Sequence, residues 1–395
     1  MSRCLSVVPR RCAATLAAVA ALGAVVAGCG DKSTSADSGA KTTARSTSSI
    51  SIGKVGSPAD QLRNIGEVCG DKPTTIALAW AFDGNAWRKL AFAMLKQYAK
   101  GCPSIKKVLY ANANLNAQKS ISDINSLVAQ GVNVLIVYPD FGPAILPALR
   151  AATAKGVKVV PFAVEPKALG GTVGTDYLDT VSESTLNEGK TWGEWMTKAL
   201  KGKGNVVFIG GTPGSPTGLS EFAGVKQAFA NAPGMKLLGN KIYWGKYDVA
   251  ATQKLMAGLL SQYGSRIDGV IVDYGGAAVG AIRSFEAANK PLVPFATADQ
   301  NNLGCLYQKV KRSQPNFQLG TVSSRNWVIY SALNKGLAAF QGKSDPEPSI
   351  FDLPIIEDST GNMAKQEPKC DPSLPDDAIL SAGPSSAEQK AILGS

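Results

Sequence analysis

Histidine is absent from this sequence. Its absence removes Ser-His-Asp and Cys-His nucleophilic catalysis, the zincin motifs and most zinc centres. No metal site and no cofactor is expected. Paired-carboxylate hydrolysis is the catalytic chemistry left open. The formal charge is +11, yet no Lys/Arg block or basic-aromatic stripe is present, so the footprint of a nucleic-acid binder is missing. The excess reads as dispersed, solvated charge. Gly210-Gly-Thr-Pro-Gly214 resembles a phosphate-cradling loop, but Pro213 interrupts it and no Gly-Lys-Ser/Thr follows, so it reads as shaping the cleft. The apolar run from Ala13 to Ala27 is too short to span a bilayer, which takes about 20 residues.

That run sits behind Arg3, Arg10 and Arg11 and ends in Val26-Ala27-Gly28-Cys29. A basic head, a short apolar middle and small residues before the cut describe a secretory signal. The Val-Ala-Gly-Cys order resembles the lipobox of bacterial lipoproteins, which implies that Cys29 becomes the lipidated first residue. The expected location is extracytoplasmic, tied to the cell membrane by an N-terminal lipid. Residues 1–28 are then signal peptide. Residues 29–70 are a flexible tether, because the Ser/Thr/Ala/Gly/Lys-rich stretch from Gly30 to Gly56 has too little apolar surface to offset its ordering entropy. Cys69, Cys102, Cys305 and Cys370 remain in the body. An even number in an exported protein predicts two disulfides. Three pairings are possible; Cys69–Cys102 and Cys305–Cys370 are expected.

From Thr74 onward, apolar runs bounded by turn signals alternate with segments of helical spacing. Thr75 to Ala81 reads as a strand. Asn85 caps a helix carrying Trp87, Leu90, Ala91, Met94 and Tyr98. Val132 to Tyr138 is an almost continuous apolar strand, as expected when both faces of a parallel sheet are covered. The pattern runs on through strands at Val157–Val164, Asn205–Ile209, Lys236–Tyr243, Ile267–Asp273 and Leu292–Phe295, with helices between. The expected class is α/β, with two parallel sheets in two lobes. Ligands of such sheets sit beyond the carboxyl ends of the strands. This singles out Asp83, Asn85, Tyr138, Asp140, Tyr247, Asp273, Tyr274 and Asp299.

Several stretches resemble the type I periplasmic binding proteins of the sugar-binding, ribose-binding-protein-like class, from about Thr74 to Gly342. Ile76-Ala-Leu with Asn85-Ala-Trp87 resembles the first strand and ligand turn of that family. Gln130-Gly-Val-Asn-Val-Leu-Ile-Val-Tyr-Pro139 resembles its Gly–strand–Pro segment. Val173-Gly-Thr-Asp176, then Glu188-Gly-Lys190, resembles the first interlobe crossing and its helix. Gly269-Val-Ile-Val-Asp273 with Gly280-Ala-Ile-Arg283 resembles the late strand and helix, and Gly320-Thr-Val322 the second crossing. The resemblance implies two Rossmann-like lobes joined by a three-crossing hinge, closing around ligand. Residues 71–175 and 325–350 would form the first lobe, and 176–324 with 351–395 the second, including a Pro-rich tail. The family's Asp-Arg pair is replaced by Val164-Glu165-Pro166, and its later arginine by Leu219, so the pentose site is not intact.

The resemblance implies a solute-binding protein rather than an enzyme. It would be a monomer, capturing a sugar or polyol and delivering it to an ABC permease; the alternative is a receptor of the same fold reporting to a membrane sensor. Trp87 and Tyr247 would offer aromatic faces to the ligand. Asp83, Asn85 and Asp140 would offer hydrogen bonds, and Arg325 a forked donor at the second crossing. Trp192 and Trp195 lie within a helix and read as packing.

Overall fold

A computed structural model describes residues 49–62, 64–361 and 366–394. The expected signal segment 1–28, Cys29 and the tether up to residue 48 lie outside the described residues.

The chain opens with β1 (Val55–Gly56) and continues into β2 (Thr74–Trp80), α1 (Ala86–Ala99), β3 (Ile105–Asn112), α2 (Ala117–Ala129), β4 (Val134–Val137), α3 (Leu146–Ala154) and β5 (Lys158–Pro161). Strands β3-β2-β4-β5 form a parallel sheet. Asn85 and Asn116 start their helices by accepting the backbone N–H three residues on. Ile76, Leu78 and Trp80 point to one face of the sheet, Ala77 and Ala79 to the other. Both faces are covered, hence the unbroken apolar run of β4.

After α4 (Pro166–Leu169) and β6 (Ser182–Glu183) come α5 (Thr185–Ala199), β7 (Lys203–Gly210), α6 (Pro216–Ala230), β8 (Gly234–Leu237), β9 (Tyr243–Trp244), α7 (Val249–Tyr263), β10 (Gly269–Val272), α8 (Gly275–Ala287), β11 (Phe295–Ala298), α9 (Asn301–Val310) and β12 (Leu319–Val322). They build a second parallel sheet, β12-β11-β10-β7-β8, with β9 against β7. Strand β11 starts three residues later than its composition predicts. Pro291 and Pro294 have no N–H to donate to a ladder, so pairing begins at Phe295. Helix α10 (Val328–Gln341) returns to pack on β4, β5 and α1. Then follow β13 (Ile350–Phe351), β14 (Ile355–Asp358) and α11 (Ser386–Leu393). Both expected disulfides are present, Cys69–Cys102 and Cys305–Cys370.

Three expectations need correction. Residues 49–62 and 64–70 are not free tether. β1 pairs with β13, which pairs with β6, in a small parallel sheet between the lobes. Ile65 and Val68 are core residues, and the buried Lys335 ammonium donates to the Ser51 carbonyl. Backbone pairing with residues 345–352 holds residues 51–56, although Ile52 and Val55 are exposed, and the buried Ile65 and Val68 with Cys69–Cys102 hold the rest. Second, Val173–Asp176 is not a crossing. The Asp176 carboxylate accepts from Thr172 N and Arg150 Nε, both at 2.6 Å, and folds it into a turn. The chain crosses instead at β6. Third, the tail does not stay with the second sheet. It first adds β14 antiparallel to β12 and is bonded through Cys370 to α9. Ser381 then bonds Asp299, after which α11 packs on α1 of the first lobe, with Ile392 and Leu393 against the core.

Candidate functional site

The residues just past the carboxyl ends of both sheets surround one cavity with about 380 Å³ of atom-free space. Asn85, Trp87, Arg88, Tyr138 and Ala163 line it from the first lobe. Tyr247, Asp273 and Tyr274 line it from the second, and Arg325 from the crossing after β12. The lobes touch around it. Thr217 Oγ donates to the Ala163 carbonyl at 2.8 Å. The Phe82 and Tyr247 rings stack with centroids 6.4 Å apart. A carbon placed on Gly142 would stand 3.2 Å from Pro216 Cγ.

In the first lobe, Trp87 stacks on Phe162 at 6.0 Å and meets Tyr138 edge-on. Its indole N–H donates to the Ser324 carbonyl, and Asn326 donates to the Trp87 carbonyl. The ring is thereby fixed to the second crossing. Arg88 is buried, with its guanidinium 4.0 Å from the Phe82 ring centroid and 4.4 Å from that of Tyr138. Asp140 grips it with both oxygens, at 2.6 and 3.1 Å, and also accepts from Ala81 N.

In the second lobe, Gly211 carries no side chain that would overlap the Tyr247 ring, and its N–H donates to Asp273 at 2.7 Å. Tyr247 sits at φ +54°, its buried hydroxyl turned towards Tyr138 and Asp273. Gly189 lets α5 approach the α6 backbone, since any Cβ there would overlap the Glu221 carbonyl. That contact sets Glu188 beside Glu221. Together with Glu183 of β6 they surround Arg325, at 2.8 Å (Glu183), 3.2 Å (Glu188) and 3.5 Å (Glu221). Burial lifts Tyr138 to about 12, Asp273 to about 7 and Glu188 to about 8. Burial and the neighbouring Glu188 and Asp273 raise Glu221 as well. Burial opposes the charge of Arg325, but the three glutamates outweigh it and hold the guanidinium above its ordinary range. Among the described residues, no cluster of His, Cys, Asp or Glu is arranged to hold a metal ion.

This architecture has known counterparts. Residues 76–310 match the family model described as periplasmic binding protein domain. The chain belongs to the periplasmic binding protein family. Its sheets and crossings are of type I. A xylitol-binding protein from Mycolicibacterium smegmatis is 27% identical over 264 residues, 65% of this chain and 70% of that protein. The galactofuranose-binding protein YtfQ of Escherichia coli is 23% identical over 267 residues, 67% and 82% of the two chains. A solved ABC transporter solute-binding protein from Thermobispora bispora is 26% identical with a TM-score of 0.61, covering 72% of this chain and 85% of its own. These relatives are solute-binding proteins, not enzymes. No helix among the described residues is long and apolar enough to cross a membrane.

Of the residues singled out from the sequence, this binding protein brings Asn85, Trp87, Tyr138, Tyr247, Asp273, Tyr274 and Arg325 to one cavity. Three lie elsewhere. Asp83 is exposed and accepts from the Tyr110 hydroxyl over a separate surface hollow, because the chain turns outward at Asp83-Gly84. Asp140 lies behind Arg88, both oxygens consumed. Asp299 is buried and tied to Ser324 N, Ser381 N and Ser381 Oγ, so it fastens the tail. Sequence reasoning missed Arg88 and the glutamates around Arg325. The signal for Arg88 was an arginine one turn past the Asn85 cap, with Asp140 just beyond the neighbouring strand β4.

Proposed function

We propose that the protein captures a small uncharged polar ligand, a sugar or polyol, between its lobes and hands it to the permease of an ABC importer. It works outside the cytoplasm, held to the membrane by lipidated Cys29. The observation that carries this reading is the cavity itself. Both lobes supply aromatic rings, Trp87 and Tyr138 against Tyr247 and Tyr274, beside fixed polar groups at Asn85, Arg88, Asp273 and Arg325. Aromatic rings suit the C–H faces of a sugar ring, and planar polar groups suit pairs of hydroxyls. The names of the relatives, xylitol- and galactofuranose-binding, agree with a polyhydroxylated ligand.

The test is a thermal-shift screen of the body against neutral sugars, polyols, nucleosides and amino acids. A true ligand at 100 times its Kd stabilises by about 2.7 kcal/mol. Scattering should show the body more compact with that ligand. A shift from nucleosides or amino acids alone would sink the sugar assignment.

A further inference from the structure

Two arginines in a ligand cavity ordinarily mark a receptor for carboxylate or phosphate, because the guanidinium fork matches those groups. Here neither fork is free. Arg88 is held by both oxygens of Asp140. Arg325 faces Glu183, Glu188 and Glu221, all fully buried. Asp273 adds a fifth carboxylate in the wall, and Glu165 at the head of α4 acts on Glu188 from behind. Four acids therefore meet two guanidiniums, with two more close by. The oxygens of Glu183, Glu188 and Glu221 receive no hydrogen bond of good geometry, so they are held to Arg325 by charge. Burial raises Glu188, Glu221 and Asp273 above the usual carboxylate range, and their acidic neighbours push Glu188 and Glu221 up further.

We propose that Glu188 and Glu221, acting through Arg325, filter ligands by charge: they admit neutral polyols and reject the sugar acids and sugar phosphates that two cleft arginines would otherwise recruit. This rests on the reading of the cleft as a polyol site. An incoming anion would compete for Arg325 with three buried acids that cannot move away, since the α5–α6 backbone contact at Gly189 fixes two of them. Glu188 and Glu221 are thus positioning residues whose effect is on selectivity.

Calorimetry with three charge forms of two skeletons tests the filter: xylitol, xylonate and xylitol 5-phosphate; glucitol, gluconate and glucitol 6-phosphate. The parent should bind the better neutral form at least about 30-fold more tightly than its anions. Glu221→Gln should narrow that ratio about 10-fold, and Glu221→Asp should restore it, which a merely structural role would not produce. If Glu221→Gln does not fold, Glu188→Gln assayed at about pH 9, above the Glu188 value of about 8, gives the same readout, and the parent's own ratio still tests the idea. An anion binding the parent as tightly as its neutral form overturns the filter and leaves the polyol reading intact. So does an unchanged ratio in folded Glu221→Gln. Binding of none of the six, together with no sugar or polyol shift in the thermal screen, overturns both.

Discussion

Asp140→Ala is the most telling single change. Asp140 looks from the sequence like a ligand contact, yet in the structure it never meets the cavity. It is 2% exposed and neutralises Arg88, which is also 2% exposed. Removing it strands a guanidinium between Phe82, Tyr138 and Trp80 and orphans the Ala81 N–H. Stripping one partner from a buried pair costs about 3–5 kcal/mol, and the lost amide acceptor adds about 1–3 kcal/mol. A loss of at least about 4 kcal/mol is therefore expected. Urea unfolding should show it as a fall in midpoint at unchanged slope. The exposed Asp83→Ala is the matched control and should stay within about 0.5 kcal/mol of the parent. Replacing both partners, Arg88→Met with Asp140→Leu, should recover much of the stability while abolishing ligand binding, because Arg88 reaches the cavity. If Asp140→Ala unfolds within 1 kcal/mol of the parent, the account of this pair is wrong.

Trp192, fully buried with its N–H on the Thr297 carbonyl, should cost about 3–5 kcal/mol as Trp192→Ala, whereas Tyr247→Ala should cost affinity far more than stability; the reverse ranking by urea and calorimetry would contradict the placement of both. Glu188, Asp273 and Glu357, lifted by burial to about 8, 7 and 7, hold protons in the folded chain that the unfolded chain sheds above about pH 4.5. Their stabilisation is therefore full in acid and lost as pH rises through 7 to 8. The thermal midpoint at pH 5 should exceed that at pH 8 by more than ~5 °C, and a higher midpoint at pH 8 would refute this. The disulfides close loops of 33 and 65 residues, worth about 4 kcal/mol each by chain entropy; Cys69→Ser with Cys102→Ser should lose that much in urea, and no loss would count against the clamp.

Alternating strands and helices were legible because both sheets are parallel and covered, which leaves unbroken apolar runs such as Val134 to Val137. Cavity residues were legible where they follow a strand directly, as Tyr138 and Asp273 do. Legibility failed where a side chain's neighbour came from afar. Nothing local to Asp140 says that Arg88 will consume it, and nothing near Arg325 announces Glu183, Glu188 and Glu221. Those contacts depend on a glycine-permitted helix contact and on where the chain crosses, and the crossing was itself misplaced by the Asp176 turn. The tail was hardest, since Asp299 looks like any other post-strand acid until Ser381 arrives 82 residues later.

The path of that tail sets the mechanics of the molecule. Three adjacent crossings behave as an axle, about which two rigid bodies turn with little resistance. A further link that grips the second body at Cys305 and the first at α1 lies off that axle and makes a closed linkage. A rotation that parted α1 from α9 would have to lengthen the segment after Cys370 or lift α11 from its seat. Such an opening would meet a stop and a restoring force, with its swing set by the slack in a few tail residues rather than by the crossings.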